Sequence, residues 1–181
     1  MTDISPADIV SFWRAAGEDR WFKKDDAFDR EITQRFMATW LAASRGELAS
    51  WETSDAGRLA LIIVLDQFPR NMFRGDPRSY ATDAQALAVA ERAIAGGADA
   101  RVEKDFQQFV YMPFMHSEQL AHQERCIELF RAAENTFNLK FAEEHADIIR
   151  RFGRFPHRNK VLYRDTTTEE QVFLDSGGFS G

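Results

Sequence analysis

Nine polar side chains capable of chemistry fall at the ends of three apolar runs, and each run meets a proline. The runs read LALIIVLDQFPRN (59–71), FQQFVYMPFMHSE (106–118) and HADIIRRFGRFPHRN (145–159). Asp66, Arg70 and Asn71 attend the first, His116 and Glu118 the second, and Arg154, His157, Arg158 and Asn159 the third. A histidine beside a carboxylate is a proton-transfer pair. Arginine is the cation suited to planar, bidentate pairing with carboxylate or phosphate oxygens. His116 and His157 are therefore read as proton carriers, with Asp66 or Glu118 setting the tautomer. Arg70, Arg154 and Arg158, helped by Asn71 and Asn159, are read as the ligands of an anion.

The elements that must position these groups follow from periodicity. Pro69, Pro113 and Pro156 lie 44 and 43 residues apart, close to the length of a helical hairpin in a repeat array. A proline cannot continue an α-helix without losing a hydrogen bond, so each is expected to end its helix. Helices that alternate up and down bring ends two helices apart to the same side. The three motifs are therefore expected on one edge.

Two more polar residues sit on otherwise apolar seams. His116, Leu120, Gln123, Ile127 and Phe130 step by four and three along one face of a sixth helix. Phe141, His145, Ile148, Ile149 and Phe152 do the same on a seventh, so His145 points inward. At about 1.5 Å per residue, Gln123 and His145 lie on the order of 10 Å below the shared edge. They form the expected floor of a pocket, with Glu124 beside them. Asp66 follows an all-apolar wall at a helix C-terminus, where the macrodipole disfavours an anion. It must find a cation or give up its charge.

The full helical reading is this. Ser5-Pro6 with Asp8 is a capping box that opens helix 1, which stops near Gly17. Phe28, Ile32, Phe36 and Trp40 mark helix 2, from Asp25 to Gly46. Helix 3 covers 54–67 and is apolar on every side; 71–79 is a loop. Helices 4 to 7 cover 80–95, 101–112, 117–133 and 138–152, and Thr167 with Glu170 caps a last short helix. No stretch alternates with period two for long enough to make a strand. The class is all-α: one domain over 1–181, built of antiparallel hairpins in a bundle or short solenoid of about seven main helices.

Composition removes several functions. The net charge of −6 argues against phosphate-driven nucleic-acid binding. No run is long enough to span a bilayer, and the first residues carry no export signal. One cysteine, Cys126, suits a reducing compartment, so the expected location is cytoplasmic. The four histidines form no HxxxH or HExxH pair, which leaves no metal site. Phosphate-loop, dinucleotide and nucleophile-elbow fingerprints are absent, so no cofactor is assigned.

The blocks LDQFPRNMFRG (65–75), YATDAQAL (80–87), PFMHSEQLAHQE (113–124), FGRFPHRNKVL (152–162) and TTTEEQVFL (166–174) resemble a bacterial family called domain of unknown function nine-two-four. Phe12-Trp13 and Trp51 are similar to it too. The resemblance implies a tetratricopeptide-like, helical-hairpin fold; it does not imply an activity. One departure stands out: Tyr163 occupies a position where the family typically has glycine, ahead of the matching Arg164.

The expected function is binding of an anionic small molecule, with acid–base chemistry of the hydrolase or lyase class as the reaction such a pocket suits. The alternative is a tetratricopeptide-like interaction module whose partner is a protein or a second copy of the chain.

Overall fold

Ser5 and Asp8 form the reciprocal capping box that their spacing requires: Asp8 N–H donates to Ser5 Oγ and Ser5 N–H to Asp8 Oδ2. The computed structural model describes residues 4–179, and no strand occurs among them. The helices are α1 (Pro6–Ala16), α2 (Glu18–Trp21), α3 (Asp26–Ser44), α4 (Asp55–Ile62), α5 (Phe68–Met72), α6 (Asp83–Ala95), α7 (Lys104–Met115), α8 (Leu120–Ala132), α9 (Thr136–Phe152) and α10 (Thr168–Asp175). No helix among the described residues is long and apolar enough to cross a membrane.

The chain packs as two compact units. One holds the described residues up to Arg74 together with 78–113; the other holds 75–77 and everything described from Phe114 onward. The core of the first is aromatic. Phe36 stacks on Phe68 at 4.9 Å, and Trp13 and Trp21 meet Phe109 edge-on at 5.7 and 5.0 Å. All five side chains are buried, and each contributes about 2–3 kcal/mol by leaving water. The indole N–H of Trp21 is satisfied by the Trp13 carbonyl at 2.7 Å.

Two of the three expected proline stops are overturned. Pro69 lies inside the helical segment that runs from α4 through a wide π-turn (Ile63–Gln67) into α5. In that turn the Phe68 N–H reaches back five residues to the Ile63 carbonyl. Pro69 cannot donate to the Leu65 carbonyl; the Thr82 hydroxyl does so instead at 2.5 Å. The next carbonyl, that of Asp66, accepts from the Arg70 guanidinium at 2.5 Å. Pro113 likewise sits within α7, where Met112, Phe114 and Met115 are all buried. Packing on both sides of a proline outweighs the single hydrogen bond that it removes. Only the third motif behaves as expected: α9 ends at Phe152, and Gly153 caps it in the left-handed conformation with φ 68°.

In the second unit α8 and α9 form a helical hairpin. Arg131 pairs with Glu143 near the turn, and Arg150 approaches Glu124 at the open end. Asn135 caps α9, its side chain accepting from Asn138 N–H. Ser117, the expected first residue of the sixth helix, lies outside α8, which starts three residues later with Gln119 as its N-cap. The Ser117 hydroxyl instead accepts from Gln119 N–H at 3.2 Å and meets His122 Nδ1 at 2.8 Å. Ile148, Ile149 and Phe155 are buried together, with Phe152, Phe173 and Phe179 packed against them.

Candidate functional site

The third motif is held by a network of carboxylates and guanidinium groups within the second unit. After Gly153 the chain runs extended at Phe155 and turns through Pro156–Arg158. The Phe155 N–H donates to Glu118 Oε1 at 2.8 Å. Arg164 grips the same carboxylate bidentately at 2.7 and 3.0 Å, then donates to the Phe155 carbonyl and to Asn159 Oδ1. Asn159, wholly buried, passes the chain of bonds to Glu170 at 3.1 Å. Glu170 also receives two bonds from Arg154, at 2.6 and 2.9 Å, and one from Thr167 N–H.

The charges follow from these bonds. Burial pushes the Glu118 carboxyl up, but the Arg164 and Phe155 N–H bonds outweigh it and hold the group below its usual range. The Arg154 guanidinium draws Glu170 down to about 2. Both carboxylates are therefore ionised at neutral pH. Arg154, expected from sequence to be an anion ligand, has Glu170 and the Asp165 carbonyl as partners.

Two imidazoles pack against the Phe155 ring, whose backbone this network holds. His145 faces inward and is 7% exposed. Its Nδ1 meets the Phe141 carbonyl at 2.7 Å; because a carbonyl only accepts, Nδ1 carries the proton and Nε2 is the acceptor. His157 follows Pro156, and its Nδ1 is buried without a hydrogen-bond partner. Burial, reinforced by His116 and Arg158, lowers His145 to about 4. Burial, then Arg158 and His145, lowers His157 to about 3. Two neutral imidazoles thus stand in the positive field of Arg158. That guanidinium lies over the Phe155 ring at 4.6 Å and donates to the His116 carbonyl at 3.0 Å. His116 is half-buried in the turn after α7, outside the helix on which its spacing had placed it.

The expected floor of the pocket is arranged differently from its reading. Gln123 is fully buried, but its amide nitrogen donates to the Met115 and Ser117 carbonyls at 2.7 and 2.6 Å and so caps the end of α7. Its Oε1 has no hydrogen-bond partner. Glu124 is exposed.

Asp66, Arg70 and Asn71 belong to the first unit. Asp66 is fully buried beside Arg70, 3.3 Å away, and accepts from Gln67 Nε2 at 2.6 Å. Arg70 also pairs bidentately with Asp83 at 2.9 and 3.0 Å. Burial disfavours its charge, but Asp66 and Asp83 more than compensate and push its pKa upward. Asn71 donates to Asp29, which Arg74 also grips.

Sequence reasoning missed Glu170 and Phe179 as parts of the second unit's site and gave Arg164 little weight. Glu170 read only as a helix cap, which it also is. Phe179 packs its ring against His145 at 4.5 Å and His157 at 5.1 Å, and no spacing rule announced it. Among the described residues no group of three or more His, Cys, Asp or Glu could hold a metal ion.

The chain is similar over 95% of its length to a protein of unknown function, ATU0120 from Agrobacterium tumefaciens, whose structure superposes with a TM-score of 0.92. The two share 48% identity, and the match covers 97% of that chain. No curated protein matches. Residues 9–178 match the family described as bacterial protein of unknown function (DUF924). With most of the sequence inside that match, the chain belongs to this bacterial family.

Proposed function

We propose that the second unit binds a small anionic molecule beside Arg158 and His157, and that His157 and His145 carry protons to and from it. The observation that carries the reading is the buried, unpartnered Nδ1 of His157 next to the charge of Arg158. A buried polar atom without a partner is uncommon and calls for an explanation; an acid or hydroxyl group of a ligand supplies one. An anion arriving here relieves the positive field and raises both imidazole pKa values toward neutrality, where proton transfer is efficient. Glu118 orients the Phe155 turn through its backbone bond, and Arg154 holds the frame through Glu170. Hydrolysis or elimination next to a carboxylate or phosphate is the chemistry such a group of residues suits. The lone buried thiol, Cys126, is in keeping with work in the reducing cytoplasm.

Thermal unfolding in inorganic phosphate and in malonate tests the reading. Both ions are expected to raise the Tm of the wild type by mass action on the folded state. His157→Gln and Arg158→Gln are expected to lose the gain while keeping helical circular dichroism. Arg154→Gln is expected to lower the Tm without changing the gain. Equal stabilisation of all four proteins would overturn the site. The interaction-module reading would then move ahead; it is favoured by the exposed, edge-to-face pair Phe137 and Phe141 on α9.

A further inference from the structure

Four rings close a circle in the second unit. His145 meets Phe155 at 5.4 Å and Phe179 at 4.5 Å; His157 meets the same two rings at 5.6 and 5.1 Å. Three of the four come from α9 and the turn that follows it. The fourth, Phe179, comes from beyond α10 and is only partly buried. Its approach depends on two glycines. Gly177 has φ 81°, and Gly178 N–H donates to the Phe173 carbonyl at 3.0 Å. A Cβ on Gly178 would stand 2.5 Å from that carbonyl oxygen and 2.6 Å from the Phe173 ring. At 178 only glycine lets the chain double back so tightly.

Beside the Phe179 ring opens a cleft of about 310 Å³, walled by Ile148, Phe152 and Phe173, with Arg151 and the carboxylates Glu144 and Asp147 also lining it. That is the lower end of the size range of small-molecule sites. Phe179 is thus a phenyl group packed edge-to-face with two imidazoles, and it borders a mainly apolar cleft.

We infer that Phe179 is a displaceable plug standing in for the ring of the ligand, and that the ligand is a small aryl carboxylate. Its flat ring takes the place of Phe179 between His145 and His157, and its carboxylate lies toward Arg158. Edge-to-face packing sets the positive edge of one ring against the negative face of the other, which selects a flat ring over an aliphatic one of the same size. The inference rests on the anion-site reading and narrows it.

Benzoate, cyclohexanecarboxylate and inorganic phosphate, titrated by calorimetry into wild type and Phe179→Ala, separate ring recognition from anion binding. Removing the plug is expected to tighten benzoate at least tenfold, to leave phosphate unchanged, and to favour benzoate over cyclohexanecarboxylate. His157→Gln in the Phe179→Ala background is expected to abolish the benzoate gain. Phe179→Leu, which keeps an apolar side chain over the core, is expected to show a smaller gain and serves if the alanine variant does not fold. Benzoate affinity equal in wild type and plug variants, or no benzoate binding by any of them, overturns the plug. Phosphate binding that still depends on His157 would in that case leave the anion site standing.

Discussion

Two proline-bearing segments with nearly the same wording, Phe-Pro-Arg-Asn at 68–71 in α5 and Phe-Pro-His-Arg-Asn at 155–159 after α9, lead to opposite electrostatic outcomes. In the first unit the polar groups close on one another: Arg70 bridges Asp66 and Asp83, and Asn71 joins Arg74 on Asp29. In the second unit one inserted histidine changes the balance. Carboxylates and arginines close a frame, while two imidazoles beside it are kept neutral, one with an unpartnered nitrogen. Saturated networks hold a fold together, whereas a held but unsatisfied group is what a ligand can complete. The likeness of the two phrases is local; their chemistry is decided by what packs around them.

The two segments are expected to part most widely at Asp66. Breaking a buried pair leaves a charge uncompensated, so Asp66→Ala is expected to destabilise the protein by about 4 kcal/mol. His157→Phe removes an unpartnered polar atom from an aromatic environment and is expected to change stability by less than about 1 kcal/mol at pH 7. Urea unfolding of the two variants decides; equal losses would mean that both segments are structural in the same sense.

Acid widens the contrast. His145 and His157 titrate lower in the folded state than in the unfolded chain, so the unfolded state takes up more protons below pH 6.5. Stability is full above that pH and falls as pH drops toward about 4 and about 3. A tenfold difference in proton affinity is worth about 1.4 kcal/mol, so each histidine accounts for about 2 kcal/mol lost by pH 5. His157→Phe is expected to recover its share, seen as a shallower decline of urea stability between pH 6.5 and 5. An unchanged slope would show that His157 takes up its proton in the native protein as readily as in the unfolded chain.

The smallest effect lies in the frame itself. Tyr163 is 89% exposed and has φ 54°, in the left-handed region where a side chain is strained. The turn forms despite the tyrosine, with Arg164 N–H bonded to the Asn159 carbonyl at 2.8 Å. Tyr163→Gly is expected to raise stability by about 1 kcal/mol, read as a higher Tm with the anion response unchanged. A loss of stability would place the Tyr163 ring in a contact that the frame needs.

Much of this is legible in the residues, and what is not has physical causes. The caps at Ser5 and Thr167 and the inward face of His145 follow from local spacing, and the structure has them as expected. The helix through Pro69 is not legible because its remedy, the Thr82 hydroxyl, comes 17 residues later than the Leu65 carbonyl that it serves. Arg154 looks like spare positive charge because its partner, 16 residues on, already has a duty as a cap. Spacing reveals which face a side chain occupies. It does not reveal which distant group arrives there.

The double duty of Glu170 also sets how this region can vary among relatives. One carboxylate closes the cap of α10, anchors Arg154 and orients Asn159, so positions 154, 159, 167 and 170 are expected to be inherited together. An inserted residue between 159 and 170 breaks several bonds at once, whereas one in the 133–135 loop breaks none of them. Drift in length is therefore expected in the hairpin and excluded from the frame, and a family alignment would show the two regions ageing at different rates.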